Sequence, residues 1–420
     1  MALRLGVIAD DFTGGTDIAG FLVTNGLKTV QLTGLPAEDT TVPDDTEAVV
    51  VSLKSRSNPV DEAVAMSREA LRFLQSLGAE RFFFKYCSTF DSTTEGNIGP
   101  VTDALLDDLG ADFTVIAPSL PVNGRTTYKG HLFVGDVPLD ESGMRNHPIT
   151  PMTDSSLVRL MDGQSQGRTG LVDAATVDQG ADAVREALAE RRSEGFRYAV
   201  LDTVTDADLL VLGEAVTDLS LVTGGSGLGG GMAAALSDGA ADRTSSWDQA
   251  AAPTVVLSGS SSVMTNQQVA SYRETAPAMA VDVDRLLADE QGYRTEVLGW
   301  LSEHALADGP APLLYATAPP EEVTRLQQEH GAARSSTAIE SLFAWLAGSL
   351  AQAGVRRFIV AGGETSGAVT TALGVTGFEV GPQIAPGVPW VRALDSGIEL
   401  ALKSGNFGDT DFFTTATQTG

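Results

Sequence analysis

The sequence predicts an α/β protein of two domains, each built on a mostly parallel sheet flanked by helices, with the active site in the cleft between them. Three observations predict it. Short apolar runs alternate with helical periodicity through residue 236, which is the pattern of strands joined by crossover helices. The alternation then breaks in a polar, small-residue stretch and restarts at 254. Finally, each half carries a glycine- and hydroxyl-rich joint directly after an apolar run: Ala9-Asp10-Asp11-Phe12-Thr13-Gly14-Gly15-Thr16-Asp17 and Ala361-Gly362-Gly363-Glu364-Thr365-Ser366-Gly367-Ala368. In open α/β sheets, ligands bind at the carboxyl ends of strands, where such joints fall.

In the first half, strands are expected at 4–9, 48–53, 81–85, 113–117, 169–172, 198–201 and 219–223. Helices are expected between them at 13–25, 59–77, 99–109, 177–194 and 206–212. The interval 118–153 lacks periodicity and is rich in Pro, Gly and Asn, so it reads as a long functional loop. These elements make a substrate-binding domain over 1–236, followed by a linker at 237–253. A nucleotide-binding domain follows over 254–413, with strands at 254–257, 312–316 and 356–360 and a helix at 263–273. A further helix opens with a capping box, Thr337 and Glu340, and stops at Gly354. Residues 414–420 read as a flexible tail.

Composition narrows the function. A chain of 420 residues with 43% hydrophobic content can bury two cores. No apolar run reaches about 18 residues, which argues against a membrane span. The N-terminus lacks a secretory apolar region, so a cytoplasmic location is expected. Cys87 is the only cysteine, which excludes an intrachain disulfide and a thiolate metal cluster. A net charge of −28 argues against nucleic acid and anionic membranes as partners. An anionic substrate therefore needs local cations. The chain has five lysines, Lys28, Lys54, Lys85, Lys129 and Lys403, against 22 arginines. Four of the five sit in loop-like polar segments, where a compact point charge serves a site.

The first joint pairs two carboxylates. One can take a proton from a substrate hydroxyl while the other binds a hydroxyl or a Mg²⁺-bound water. Asp10 and Asp11 are thus both candidates for the catalytic base, with Thr13 and Gly14 at the following helix start. Lys85-Tyr86-Cys87-Ser88-Thr89-Phe90-Asp91-Ser92-Thr93 sets a cation beside hydroxyls and an acid, which suits a polyhydroxylated carboxylic acid bound by Lys85, Ser88, Thr89 and Asp91. Arg56, Lys129 and His131 join this candidate set. Cys87 reads as a packing residue rather than a nucleophile.

Gly225, Gly227 and Gly230 spell G-x-G-x-x-G after a strand. No second strand with a ribose-binding acid follows, so Gly225, Ser226 and Gly227 read as a backbone anion nest for substrate. A nicotinamide-dependent hydroxy-acid dehydrogenase is the alternative, and a non-catalytic sugar-acid sensor is another.

In the second half, Ser258, Gly259 and Ser260, then Gly362, Gly363, Glu364, Thr365 and Ser366, then Lys403 and Gly405 offer donors to a polyphosphate. The chain contains no G-x-x-x-x-G-K-[ST] and no protein-kinase signature set. None of the four histidines has metal-ligand spacing.

These segments, in this order, resemble the four-carbon acid sugar kinase family over nearly the whole chain. The motifs that carry the resemblance are Ala-Asp-Asp-Phe-Thr-Gly (9–14), Lys-Tyr-Cys-Ser-Thr-Phe-Asp-Ser-Thr (85–93), Glu-Gly-Asn-Ile-Gly-Pro (95–100) and Tyr-Lys-Gly-His-Leu-Phe-Val-Gly (128–135). In the second half they are Gly-Gly-Glu-Thr-Ser-Gly (362–367), Gly-Pro-Gln-Ile-Ala-Pro-Gly-Val-Pro-Trp (381–390) and Leu-Lys-Ser-Gly-Asn-Phe-Gly (402–408). Gly15 departs from the alanine more usual there. The resemblance implies transfer of the γ-phosphoryl group of ATP, with Mg²⁺, to the C4 hydroxyl of 3-oxo-tetronate. It also implies nucleotide contacts at Ser258, the 362–365 turn and Gly405. The implied partners are a small sugar acid and ATP, and a homodimer is compatible with this reading.

Overall fold

The computed structural model describes residues 3–37, 40–146, 150–237, 252–306 and 309–418. The chain divides into two compact units, residues 1–245 and 246–420. Most of the linker expected at 237–253 lies outside the described residues.

The first unit begins β1 (Leu5–Ala9), α1 (Phe12–Thr24), β2 (Thr29–Thr33), β3 (Ala48–Ser52), α2 (Val60–Ser76), β4 (Phe82–Lys85), α3 (Ile98–Leu109) and β5 (Thr114–Ala117). It continues with β6 (Arg125–Tyr128), β7 (His131–Val134), β8 (Val137–Pro138), α4 (Leu157–Gln164), β9 (Thr169–Val172), α5 (Ala174–Val177) and α6 (Ala181–Ser193). β10 (Tyr198–Leu201), α7 (Asp206–Ala215), β11 (Leu221–Gly224) and α8 (Ser226–Leu236) complete it. Its sheet runs β2-β3-β1-β4-β11-β5-β10-β9, and every pairing in it is parallel. The strands are almost wholly buried, as a sheet covered on both faces requires.

From β1 the chain passes through α1 to β2 on one side, and from β4 it passes through α3 to β5 on the other. β1 and β4 are neighbours, so their following loops part in opposite directions and leave a crevice at a topological switch point.

Several expectations are corrected here. β2 reads poorly in sequence because Gln31 interrupts it. The Gln31 side chain is buried and bonded to Thr16 and Ser52 at 3.0 and 2.9 Å. The helix expected over 177–194 is broken at Gly180, whose φ of 97° ends α5 before α6 starts. The long loop expected over 118–153 instead carries a three-stranded antiparallel sheet, β6-β7-β8. Its first hairpin turns on Lys129 and Gly130, both at positive φ (52° and 73°), the geometry of a type I′ turn. The glycine run after β11, where an anion nest was expected, forms the start of helix α8, with Gly225 as its N-cap.

The second unit comprises β12 (Thr254–Ser258), α9 (Val263–Tyr272), β13 (Ala278–Ala280), α10 (Val283–Ala288), α11 (Glu290–Ala305), β14 (Leu313–Tyr315), α12 (Pro320–His330) and α13 (Ala332–Ala353). It ends with β15 (Arg357–Ala361), α14 (Gly363–Ala372), β16 (Gly377–Ala385), β17 (Val388–Ala393), β18 (Glu399–Lys403) and α15 (Phe412–Gln418). Its strands run β13-β14-β12-β15-β18-β17-β16, parallel up to β18 and then antiparallel. The same logic recurs: β12 leads to β13 on one side and its neighbour β15 leads to β16 on the other, so the switch point lies between them.

Two expectations change in this unit. The Thr337–Glu340 capping box lies inside α13, which starts at once after Gly331. The tail expected over 414–420 is helical through Gln418, because Phe412, Phe413 and Ala416 complete a core with Trp390, Val269 and Tyr272.

Candidate active site

At the first switch point β1 and β4 deliver three charged side chains. The Asp10 N–H donates to the Lys85 carbonyl at 3.0 Å, so the two strand ends are tied together. Asp10 is buried, and the Arg56 guanidinium holds both of its oxygens, Nε on Oδ2 at 2.8 Å and Nη2 on Oδ1 at 2.7 Å. Burial pushes the Asp10 carboxyl up, and Arg56 pulls against it. Asp11 is the N-cap of α1: its Oδ1 accepts from the Gly14 N–H at 2.8 Å and lies 2.8 Å from Arg56 Nη2. Among the described residues no group bonds its Oδ2. Thr13 sits exposed in the same first turn.

Lys85 is also buried. Its ammonium donates to the Tyr86 carbonyl at 2.7 Å, the single hydrogen bond it makes among the described residues. A Cβ on Gly14 would come within 3.2 Å of Lys85 Nζ, so glycine there lets the ammonium approach the start of α1. Asp17, one turn further along α1, accepts a hydrogen bond from Ser226 Oγ. Burial pushes its carboxyl up, while Lys85 and Ser226 oppose that shift.

Arg56 is placed by its loop. The side-chain amide of Asn97 donates to the carbonyls of Ser55, Arg56 and Asn58 at 3.0, 3.1 and 2.9 Å. Asp91 joins Asp10, Arg56 and Asn97 around a small cavity, and its Oδ1 accepts from Thr89 at 2.7 Å. Ser88 is half-buried. Burial pushes the Cys87 thiol up to about 12, which fits a packing residue rather than a nucleophile.

Sequence reasoning missed Asn97, Asp17 and Asp202. Asn97 lay inside a quoted motif, but nothing in sequence says that its amide reaches back to residue 55. Asp202 accepts from the N–H groups of Lys129, Gly130 and Ala174 at 2.7, 2.8 and 3.1 Å, and so fixes the hairpin turn. The structure does not bring Lys129 or His131 into contact with Asp10, Arg56 or Lys85. Lys129 is exposed over the Tyr128 ring, and His131 Nδ1 meets Ser155 Oγ at 3.0 Å. Their hairpin bridges Thr203 at the end of β10, three strands along the sheet from β4.

The glycines of α8 have a packing role. A Cβ on Gly225 would lie 2.3 Å from the Pro118 carbonyl, and one on Gly227 would lie 2.7 Å from Leu209 and 3.0 Å from the Ser119 carbonyl. Gly230 faces Phe21 and Gly231 faces the Leu209 carbonyl. Helix α8 therefore lies against its neighbours at backbone distance, which accounts for the G-x-G-x-x-G pattern without a dinucleotide.

The second switch point gathers neutral donors. Ser258 is buried and its Oγ meets Thr317 Oγ1 at 2.7 Å. The Gly259 N–H donates to Ala361 at 2.9 Å, and a Cβ there would lie 2.1 Å from Thr365 Oγ1. Gly362, at φ 120°, starts α14, and its N–H donates to the Lys403 carbonyl at 2.9 Å. Gly363 and Gly367 face open space, Glu364 is exposed, and the buried Ser366 Oγ has no partner among the described residues. A Cβ on Gly405 would lie 2.7 Å from Ser260 Oγ, while the Gly405 carbonyl accepts from Ser262 and Thr265 at 2.6 and 2.7 Å. Small residues, a helix N-terminus and an orphaned hydroxyl make a seat for an anion. Lys403 offers it no N–H: its ammonium is buried and donates to Thr265 Oγ1, Ser404 O and Gly405 O at 3.1, 3.1 and 2.9 Å.

Residues 5–232 match the family model described as Sugar-binding N-terminal domain, and residues 255–413 match the one described as Nucleotide-binding C-terminal domain. The chain belongs to the four-carbon acid sugar kinase family. Within it, the chain is 57% identical to the 3-oxo-tetronate kinase of Brucella melitensis, over 98% of this chain and 94% of that one. It is 56% identical to the 3-oxo-tetronate kinase of Pectobacterium atrosepticum, covering 99% and 98% respectively. A crystal structure of a Haemophilus influenzae protein, 55% identical, superposes with a TM-score of 0.92 and 99% coverage of both chains. Among the described residues no helix is long and apolar enough to cross a membrane.

Proposed function

We infer that this member of the four-carbon acid sugar kinases transfers the γ-phosphoryl group of ATP to the C4 hydroxyl of 3-oxo-tetronate. The reading rests on the division of chemistry between the two switch points, together with the names of the family's 3-oxo-tetronate kinases. One switch point holds carboxylates, a guanidinium and an ammonium, which suit a hydroxy acid. The other holds hydroxyls, glycines and a helix N-terminus, which suit a polyphosphate.

Phosphoryl transfer needs positioning and charge stabilisation more than covalent chemistry from the protein. Lys85 pairs with the acid's carboxylate through its remaining ammonium hydrogens. Asp11 accepts the C4 hydroxyl proton at Oδ2, the oxygen left without a partner. Asp10 is occupied by Arg56 and keeps that cation in place. Ser260, the Gly362–Thr365 turn and Gly405 hold the phosphates through N–H and hydroxyl groups. A magnesium ion on the phosphates would neutralise their charge. Glu364, exposed in the first turn of α14, is the residue of this set with an oxygen suited to hold it through water.

A coupled ADP-release assay across tetronates and 3-oxo-tetronates tests the reading. Turnover is expected with a 3-oxo-tetronate and not with the matching tetronate. Equal turnover with both would move the substrate assignment, and ADP release independent of any acid would end it.

A further inference from the structure

Among the described residues, Lys403 is a buried cation without a counter-ion. It stands at the end of β18, enclosed by β15, β17, α9, α14, α15 and the loop that follows it. Helices α9 and α15 contain no charged residue. On β15, Arg357 is paired with Glu399, and on β17 Arg392 bonds the same Glu399. The remaining carboxylates on these elements are Glu364 on α14 and Asp409 and Asp411 in the loop, and none of them bonds or pairs with Lys403. Its three hydrogens go to one hydroxyl and two carbonyls, with the Phe412 ring 5.8 Å from Nζ. Burying an uncompensated charge is costly, and burial alone lowers the Lys403 pKa to about 8.

The carbonyls it bonds belong to Ser404 and Gly405, and Gly405 closes on Ser260 and Ser262 at the anion seat. We propose that Lys403 is the fixed positive charge of this seat: its missing counter-charge is the triphosphate of the nucleotide, felt through the 404–405 turn without direct contact. The proposal rests on the kinase reading above and names Lys403 as a positioning residue within it.

The linkage follows from the geometry. Below about pH 8 the ammonium is charged with or without ligand, and the attraction is fully present. Above that pH the free protein has lost the proton, so phosphate binding must draw one in and affinity falls as pH rises. Each unit by which the nucleotide raises the Lys403 pKa corresponds to about tenfold in affinity.

Isothermal titration of the full chain with ATP, ADP and adenosine, at about pH 8.5 in two buffers of different ionisation enthalpy, measures the proton taken up. Uptake is expected with ATP and ADP and not with adenosine. Lys403→Met should abolish it and weaken ATP by about tenfold or more at neutral pH, with adenosine unchanged. Thr265→Val, which removes one acceptor from the ammonium, should shift the decline in ATP affinity to lower pH. ATP binding by the unmodified protein without proton uptake, or uptake that survives Lys403→Met, would overturn this inference alone. No ATP binding by the unmodified protein would overturn the kinase reading and this inference with it.

Discussion

Arg56 holds Asp10 by two parallel bonds, at 2.8 and 2.7 Å, so the more buried of the two adjacent carboxylates is committed to a cation. That commitment separates the roles of the pair. Asp11 keeps one oxygen unbonded among the described residues and is 30% exposed at its side chain, against 7% for Asp10. Asp11→Asn is expected to lower kcat by roughly 10²–10⁴ with little change in stability, as loss of a general base does. Asp10→Ala should instead cost about 3 kcal/mol in urea denaturation, because it leaves a largely buried guanidinium short of its main partner. Near-normal turnover in Asp11→Asn would remove that residue from the role.

Lys85→Met should raise KM for the sugar acid by roughly 10–100-fold, the worth of a hydrogen bond to a charged group, and leave KM for ATP unchanged. Steady-state kinetics with each substrate varied in turn checks this. A change confined to ATP would mean that the roles of the two switch points are exchanged.

Asn97→Ala releases three carbonyls of the loop that carries Arg56. A stability loss of about 1–2 kcal/mol is expected, together with a several-fold rise in KM for the acid. If thermal stability falls while both KM values stay unchanged, Asn97 holds the fold but not the site.

Gly225→Ala places a methyl group 2.3 Å from the Pro118 carbonyl, a backbone atom with little room to yield. The variant should lose about 1–3 kcal/mol, read as a lower Tm, because packing at the start of α8 is forced apart. Unchanged stability with weakened acid binding would restore the anion-nest reading of this segment.

The two joints were legible because their chemistry is local. Asp11 caps the helix three residues before Gly14, and Gly362 starts the helix that contains Thr365, so sequence spacing and spatial contact coincide. Strands β1, β4 and β12 were legible for a related reason: a strand buried on both faces is largely apolar, and these are, up to the polar residues that end β4 and β12. The antiparallel strands β16 and β17 were not read, because their glycines and prolines look like loop. The hairpin around Lys129 was missed as well. Its order comes from Asp202, more than 70 residues away in sequence, whose carboxylate binds the turn.

By itself, then, the sequence determined the α/β class, the two glycine- and hydroxyl-rich joints at strand ends and the family to which they belong, since each is encoded by residues a few positions apart. Only the tertiary structure decided which carboxylate keeps an unbonded oxygen among the described residues, that Lys129 and His131 stand away from Lys85, that the glycines of α8 serve close packing, and that Lys403 is enclosed with no counter-ion among those residues. Those outcomes depend on which strands become neighbours and which polar groups find partners across long stretches of chain, and no local pattern records either.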